Sequence, residues 1–386
     1  MKTRTIGVVT TARSDYGIYR PVLRAIEAEE TLRLQLFVGG MHLAPQYGMT
    51  VRTIEADGFE IVARVEMLMD DSPEGIAKSM SRGVGGFAEA YAKNRPDLLV
   101  VLGDRFEMLA AAVTALPFNI PLAHIHGGES TEGLIDEAIR HSLTKMSHLH
   151  FVSTETYARR VIQMGEEPAR VVVSGAPSLD NLREVQLLGV EEINERFGLA
   201  LAPPFVLVTH HPVTLEPEKT AAQIDDLVAA LDAMPEFGVL FTYPNADTES
   251  RKIIERIETF CAKNPRAKIA VNLGTQGYFS VMSHAAAMVG NSSSGIIEAA
   301  SFQLPVVNIG KRQRGRVTGK NVLHVGASYD EILAGIRQAT SSECRNALAD
   351  LKNPYGDGHA SGRIVQKLRA VELGSELLMK RFHNLS

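Results

Sequence analysis

Two cysteines, Cys261 and Cys344, are too few for a disulfide framework or a zinc knuckle in a chain of 386 residues. One bridge between them is conceivable, but a reduced chain is the expectation. There is no basic excess: 40 Lys and Arg stand against 45 Asp and Glu, a formal charge of −5, which argues against a nucleic-acid partner. Apolar runs are short. Met1-Lys2-Thr3-Arg4-Thr5 leads into Ile6-Gly7-Val8-Val9-Thr10, too short for a signal-peptide core or a membrane span. No later run reaches the length of a span, so a cytoplasmic chain without a membrane partner is expected. Neither a GxGxxG fingerprint nor a P-loop occurs, and no HxxxH or HExxH spacing supports a metal. No cofactor is called for.

What the chain does have is alternation. Thr5–Val9, Leu32–Val38, Leu98–Leu102, Leu122–Ile125, His150–Val152 and Arg170–Val173 read as buried parallel strands. Helix-period segments such as Tyr19–Glu29, Pro73–Asn94 and Phe106–Leu116 separate them. The pattern then restarts. Strands are expected at Phe205–Thr209, Val239–Thr242, Ile269–Asn272, Met288–Gly290 and Pro305–Asn308, with helices at Glu218–Met234, Ser250–Lys263, Gln276–Ala286 and Ser294–Phe302. This predicts an α/β protein of two Rossmann-like doubly wound domains facing a cleft, joined near Pro177–Asn194. The assigned bounds are 1–178, 179–366, and a helix and tail at 367–386 that packs back on the first domain. Ligands of such folds collect at the carboxyl ends of strands, so polar clusters directly after strands are the candidates.

Six clusters qualify. Thr10-Thr11-Ala12-Arg13-Ser14-Asp15-Tyr16-Gly17 follows the first strand. Arg13 could clamp a diphosphate, and the plainer reading has Ser14 or Asp15 capping the next helix. Gly103-Asp104-Arg105-Phe106-Glu107 places a carboxylate at a strand end, an acid or base candidate, or a local Asp–Arg pair. The segment from His124 to His141 is the densest. It holds His126, Gly127, Gly128 and Glu129, then Asp136 and Arg140 at i and i+4 of a predicted helix. The glycines permit a turn that a side chain would block. His210-His211-Pro212 closes the first strand of the second half. Gly290-Asn291-Ser292-Ser293-Ser294-Gly295 leads into a helix, and serines with backbone N–H groups there suit an anion. Glu298 comes next, placed to accept the hydroxyls of a ribose. Lys311-Arg312-Gln313-Arg314 adds cations suited to a diphosphate. The residues alone therefore point to a nucleotide-sugar enzyme and go no further.

The order of these clusters resembles the UDP-N-acetylglucosamine 2-epimerases. The resemblance rests on Thr-Ala-Arg-Ser-Asp-Tyr-Gly at 11–17, Gly-Met-His-Leu at 40–43 and Gly-Asp-Arg-Phe-Glu at 103–107. It continues through His-Gly-Gly-Glu at 126–129, Asp-Glu-Ala-Ile-Arg-His at 136–141, His-Pro-Val-Thr at 211–214 and Gly-Asn-Ser-Ser-Ser-Gly-Ile-Ile-Glu at 290–298. The His-Gly-Gly-Glu segment is similar to the UDP-hydrolysing branch, which serves sialic acid-type pathways. The resemblance implies a glycosyltransferase-B-type fold, a UDP-sugar substrate and a homodimer or homotetramer. It also implies conversion of UDP-N-acetylglucosamine and water to N-acetylmannosamine and UDP, through a 2-acetamidoglucal. By motif, Asp104, His126, Glu129, Asp136 and Arg140 become catalytic candidates. Arg13, His211, Ser292, Ser293, Glu298 and Arg312 become UDP ligands, and His42 and Arg105 line the sugar pocket. Three departures stand out: His126 replaces a glutamate of some members, Gly17 replaces a serine, and Glu132 is an additional residue. The Gly-Gly-Glu-x-Thr-Glu-Gly form resembles relatives acting on UDP-2,4-diacetamido-2,4,6-trideoxyglucose in legionaminic acid pathways, so that substrate is the alternative. A glycosyltransferase or a non-catalytic nucleotide-sugar sensor of the same fold are the competing readings.

Overall fold

The computed structural model describes residues 3–70, 72–131, 135–212, 218, 220–244 and 250–385. Glu132, Gly133 and Leu134 of the densest cluster, and Val213 and Thr214 of the His-Pro-Val-Thr motif, lie outside the described residues.

Apolar runs with no polar face need cover on both sides, and they form the centres of two all-parallel sheets. The first has seven strands: β1 (Arg4–Thr10), β2 (Leu32–Gly39), β3 (Ile61–Val65), β4 (Leu98–Leu102), β5 (Leu122–Ile125), β6 (Leu149–Val152) and β7 (Val171–Val173). Their order is β3-β2-β1-β4-β5-β6-β7. The second sheet holds β8 (Phe205–Thr209), β9 (Gly238–Thr242), β10 (Ala267–Ala270), β11 (Ala287–Gly290), β12 (Val306–Ile309) and β13 (Val322–Val325), in the order β10-β9-β8-β11-β12-β13. Every residue of β4 and β8 is buried. Each fully buried Val or Leu contributes roughly 1.5–3 kcal/mol, so these central strands anchor their sheets. Strand order reverses direction between β1 and β4, and again between β8 and β11, the switch points of doubly wound folds. Both halves are Rossmann-like. Among the described residues, no helix is long and apolar enough to cross a membrane.

The chain divides into two compact units, Met1–Asp180 with Tyr355–Ser386, and Asn181–Pro354. This corrects the sequence-based return point: the chain re-enters the first unit at Tyr355, not after residue 366. The cause is local. The Tyr355 hydroxyl lies 3.0 Å from that of Tyr157, and its carbonyl accepts the Ala176 N–H at 2.7 Å. Asp180 then caps the helix Ala360–Ala370, accepting the N–H groups of Ala360 at 2.9 Å and Ser361 at 2.6 Å. Ile364 and Leu368 of that helix belong to the first unit's core.

Two strands escaped the sequence reading, β3 and β13. Both are edge strands with half-exposed side chains, so they carry no continuous apolar run.

Candidate active site

Because the first sheet is all-parallel, the carboxyl ends of its strands share one edge. Ladder register sets the level at which each strand ends there. Leu102 of β4 pairs with Ile125 of β5, so Asp104 and His126 leave adjacent strands at nearly the same level. Ser153 leaves β6 in the next place, and the His126 N–H donates to the Phe151 carbonyl at 3.0 Å.

His126 is the centre of this edge. Its backbone has φ +65°, a left-handed conformation rare outside glycine. Such strain persists where the surroundings impose it, and it concentrates at functional positions. Its Nδ1–H donates to Glu129 Oε1 at 2.6 Å, and the Ser153 hydroxyl donates to the same oxygen at 2.7 Å. Glu129 is buried, and His126 is 8% exposed. The carboxylate thus fixes the tautomer and leaves Nε2 as the basic nitrogen, the base-and-orienter logic of acid–base sites. Gly128 makes the turn possible: a Cβ there would lie 2.6 Å from the Tyr157 carbonyl oxygen.

Arg140 is the second organiser. It is buried and binds Asp104 through Nη2, with Thr131 Oγ1 at 2.6 Å from the same nitrogen. Nη1 reaches Glu137 at 2.9 Å and the Glu129 carbonyl at 3.3 Å. One guanidinium therefore joins the β4 end to the turn that carries the His126–Glu129 pair. This corrects one expected pairing. Asp104 does not pair with its neighbour Arg105, which instead grips Glu107 at 3.2 and 2.9 Å. Arg140 also pairs with Glu137 at i−3, on the same helix. The negative charge of Asp136 acts on Arg105, after Glu107 and Asp15, and together these hold that guanidinium's pKa above its usual value despite burial.

His42 and Arg13 occupy contrasting places. His42 is fully buried, with Nε2 2.9 Å from Thr10 Oγ1 and Nδ1 2.7 Å from Thr50 Oγ1. Burial lowers its pKa to about 4. Arg13 is exposed at the first turn of the helix Arg13–Glu27, and no hydrogen bond or ion pair engages it among the described residues. Asp15 caps that helix rather than Ser14. It accepts from the Thr11 hydroxyl at 2.8 Å and the Ala12 N–H at 3.1 Å, and burial raises its carboxyl pKa.

In the second unit the candidates gather after β8, β11 and β12, three adjacent strands. Asn291 is the hinge-pin: Oδ1 accepts the His211 N–H at 2.7 Å and Nδ2 donates to the His211 carbonyl at 2.8 Å. Its own carbonyl accepts from Arg312 at 3.1 Å and Gln313 at 2.8 Å. Ser292 caps the short helix Ser293–Ile297 by accepting the Ser294 N–H at 3.3 Å. Tyr278 hydrogen-bonds Thr209, Ser294 and Ser292, and burial raises its pKa. Glu298 is buried one turn further on. Burial next to Arg312 lowers the His211 pKa to about 3 and that of its neighbour His210 to about 4, so both imidazoles are neutral. Asp104, Glu129, Asp136, Arg140, His126 and Arg105 are thus gathered in the first unit with His42, and Arg13 stands apart from them, exposed on its helix. His211, Ser292, Ser293, Glu298 and Arg312 are gathered in the second.

Sequence reasoning missed Ser153, Thr131, Glu137, Asn291 and Tyr278 as participants. Ser153 was accessible, since it follows a strand just as His126 does. Tyr278 lies inside a helix and gives no such signal.

The fold and these strand-end sites define a two-unit Rossmann-like α/β protein of glycosyltransferase-B type. Residues 24–369 match the family described as UDP-N-acetylglucosamine 2-epimerase. The UDP-N,N'-diacetylbacillosamine 2-epimerase (hydrolyzing) of Legionella pneumophila is 38% identical over 378 residues, 98% of each chain. The GDP/UDP-N,N'-diacetylbacillosamine 2-epimerase (hydrolyzing) of Campylobacter jejuni is 39% identical over 84% of each chain. Among solved structures, the Neisseria meningitidis UDP-GlcNAc 2-epimerase bound to UDP-GlcNAc has a TM-score of 0.81 at 18% identity, over 94% of this chain and 99% of that one. The chain belongs to the UDP-N-acetylglucosamine 2-epimerase family.

Proposed function

We propose that the chain is a hydrolysing 2-epimerase of a UDP-linked 2-acetamido sugar, with UDP-N,N'-diacetylbacillosamine (UDP-2,4-diacetamido-2,4,6-trideoxyglucose) as its substrate. The observation that carries the reaction type is the His126–Glu129–Ser153 arrangement, strained at φ +65° beside the Asp104–Arg140 pair. What supports the substrate is 38% identity over nearly the whole of the Legionella pneumophila enzyme. The Gly128-Glu129-Ser130-Thr131-Glu132-Gly133 segment agrees with it.

The C2 proton of such a sugar is not acidic in the ground state. As the C1–O bond to UDP breaks, positive charge develops at C1 and C2–H becomes acidic. Loss of that proton leaves a 2-acetamidoglucal and UDP. Water then adds its oxygen at C1 while a proton returns to C2 on the opposite face, so that UDP-sugar and water become the epimeric free sugar and UDP. Inversion needs two proton-handling groups, one for each face. Asp104 and His126, leaving adjacent strands, are those groups, and Glu129 orients the imidazole. Arg140 holds Asp104 in place, and Arg105 and Asp136 set the charge around the sugar. In the second unit His211, Ser292, Ser293 and Arg312 bind the diphosphate, whose departure cations favour, and Glu298 binds the ribose. In the first unit Arg13 is a further UDP ligand, and His42 shapes the sugar-side loop from beneath. The reaction consumes water and needs no further cofactor, and the active form is a homo-oligomer in the cytoplasm.

The test compares UDP-N,N'-diacetylbacillosamine with UDP-N-acetylglucosamine in deuterated water. The expected result is UDP release with deuterium at C2 of the free sugar, faster from the diacetamido substrate. A preference for UDP-N-acetylglucosamine would replace the substrate with the sialic acid-type one. A product still bearing UDP, or release that requires an acceptor sugar, would overturn the reaction type.

A further inference from the structure

Helix Ile135–Met146 carries Asp136, Glu137 and Arg140 in its first half. Its far end meets a cluster that the reaction does not use. The carbonyls of a helix's last turn lack partners within the helix, and cations near them are favourable. Here Lys380 supplies one. Its ammonium donates to the Lys145 carbonyl at 2.7 Å and to the Ser147 carbonyl, and it lies 2.8 Å from Glu166 Oε2. Glu166 is buried. Its Oε1 is 2.6 Å from the Lys145 ammonium, and its Oε2 accepts the His150 Nε2–H at 3.0 Å. These partners hold the Glu166 carboxyl at a pKa of about 2 against the opposing effect of burial.

The segment bearing Lys380 is itself tied down. Arg170 donates to the carbonyls of Leu377 at 2.8 Å, Glu376 at 3.0 Å and Met379 at 3.1 Å. The His383 N–H donates to the Gly165 carbonyl at 2.9 Å. The Phe382 ring takes the space that a side chain at Gly165 would need, 5.1 Å from the Lys145 ammonium. His150 lies on β6, whose next residue beyond the strand is Ser153, the partner of Glu129. One ion cluster therefore touches both the helix that holds Arg140 and the strand that presents Ser153.

We propose that residues 375–383 form a strap that positions the catalytic helix, with Lys380 and Glu166 as positioning residues. Arg140 lies five residues from Lys145, about 7.5 Å along the helix axis at 1.5 Å per residue, so a shift at the clamped end reaches the guanidinium that holds Asp104. The proposal rests on the assignment of Asp104 and Arg140 to the reaction.

Lys380→Met is the informative variant. It removes the clamp while leaving Glu166 paired with Lys145 and His150, so no buried carboxylate is stranded. Hydrogen exchange, UDP affinity and turnover of UDP-N,N'-diacetylbacillosamine are measured on the full chain, with Lys380→Arg as the conservative control. The expected result is exchange in 140–147 faster by about tenfold, since local opening is what exchange reports. Turnover falls by roughly 10–100-fold, because misplacement by an ångström is costly in catalysis. UDP affinity stays within about twofold and Lys380→Arg recovers most of the loss, because the diphosphate residues moved least are those of the other unit. Unchanged exchange in 140–147 overturns the strap. So does faster exchange with unchanged turnover, or a loss that UDP binding and every region share. If the unsubstituted chain turned over neither UDP-sugar, the proposed function would fail, and the exchange measurement would still decide the strap.

Discussion

Replacing Glu129 by glutamine tests the centre of the first unit with almost no change of shape. One oxygen, Oε1, accepts from both His126 Nδ1 at 2.6 Å and the Ser153 hydroxyl at 2.7 Å, in a buried setting. Hydrogen bonds to a charged group contribute about 1.5–3 kcal/mol and neutral ones about 0.5–1.5 kcal/mol, so neutralising the acceptor weakens each by about 1–1.5 kcal/mol. For two bonds that is about 2–3 kcal/mol, or roughly 30–150-fold in turnover if it is expressed fully in the transition state. If the amide instead turns its NH2 group toward Nδ1, the imidazole proton moves to Nε2 and the base is lost, a cost of about 10²–10⁴-fold. Glu129→Gln should therefore reduce UDP release by at least about 30-fold. Deuterium entry at C2 should fall with it, and the melting temperature should shift by only a few degrees. Ser153→Ala removes a single bond to the charged acceptor, about 1.5–3 kcal/mol, and should cost about 10–150-fold if that is expressed fully in the transition state. The assay is UDP release measured alongside NMR of the product's C2 position. Turnover of Glu129→Gln within threefold of the parent would refute the orienting role, whatever the behaviour of Ser153→Ala.

Three further outcomes rest on the same geometry. Burial holds His42, His148 and His210 at pKa values of about 4, and His124 and His211 at about 3. The unfolded chain binds protons near pH 6.5 that the folded chain refuses, so stability is full above that pH and falls as pH drops toward 4. The slope approaches about 1.4 kcal/mol per pH unit for each histidine, and a melting temperature level between pH 7 and pH 5 would contradict it. His126→Ala and His126→Gly should both abolish proton transfer, but the glycine variant should be about 1 kcal/mol more stable in urea titration, because only glycine adopts φ +65° without strain. Equal midpoints would remove the strain argument. Gly290→Ala should lose UDP binding or fail to fold, since a Cβ at φ +134° would overlap the Thr209 carbonyl oxygen; calorimetry with UDP, beside circular dichroism, checks this, and normal binding would refute it.

Much of the molecule can be read from local patterns. Leu98–Leu102 and Phe205–Thr209 announce buried parallel strands because a strand covered on both faces has no polar side, and hydrophobic content is a property of the segment itself. The motif residues after those strands were legible for a related reason: in an all-parallel sheet every strand end faces the same edge, so position along the chain implies position along the site. Edge strands such as Val322–Val325 were not legible, because a half-exposed segment shows neither continuous apolarity nor a clear alternation. Partner choice was not legible either. Arg140 lies four residues from Asp136 and 36 from Asp104, yet it binds Asp104, because adjacency of β4 and β5 brings that carboxylate to the guanidinium. The same holds for Lys380, whose partner Glu166 is met only because the chain returns to the first unit at Tyr355. Residue types and their order along the chain sufficed for the fold class and the family, since both rest on short-range patterns. The charge pairs, the strained histidine and the strap were decided by tertiary structure, because Coulomb and hydrogen-bond partners are selected by distance in space.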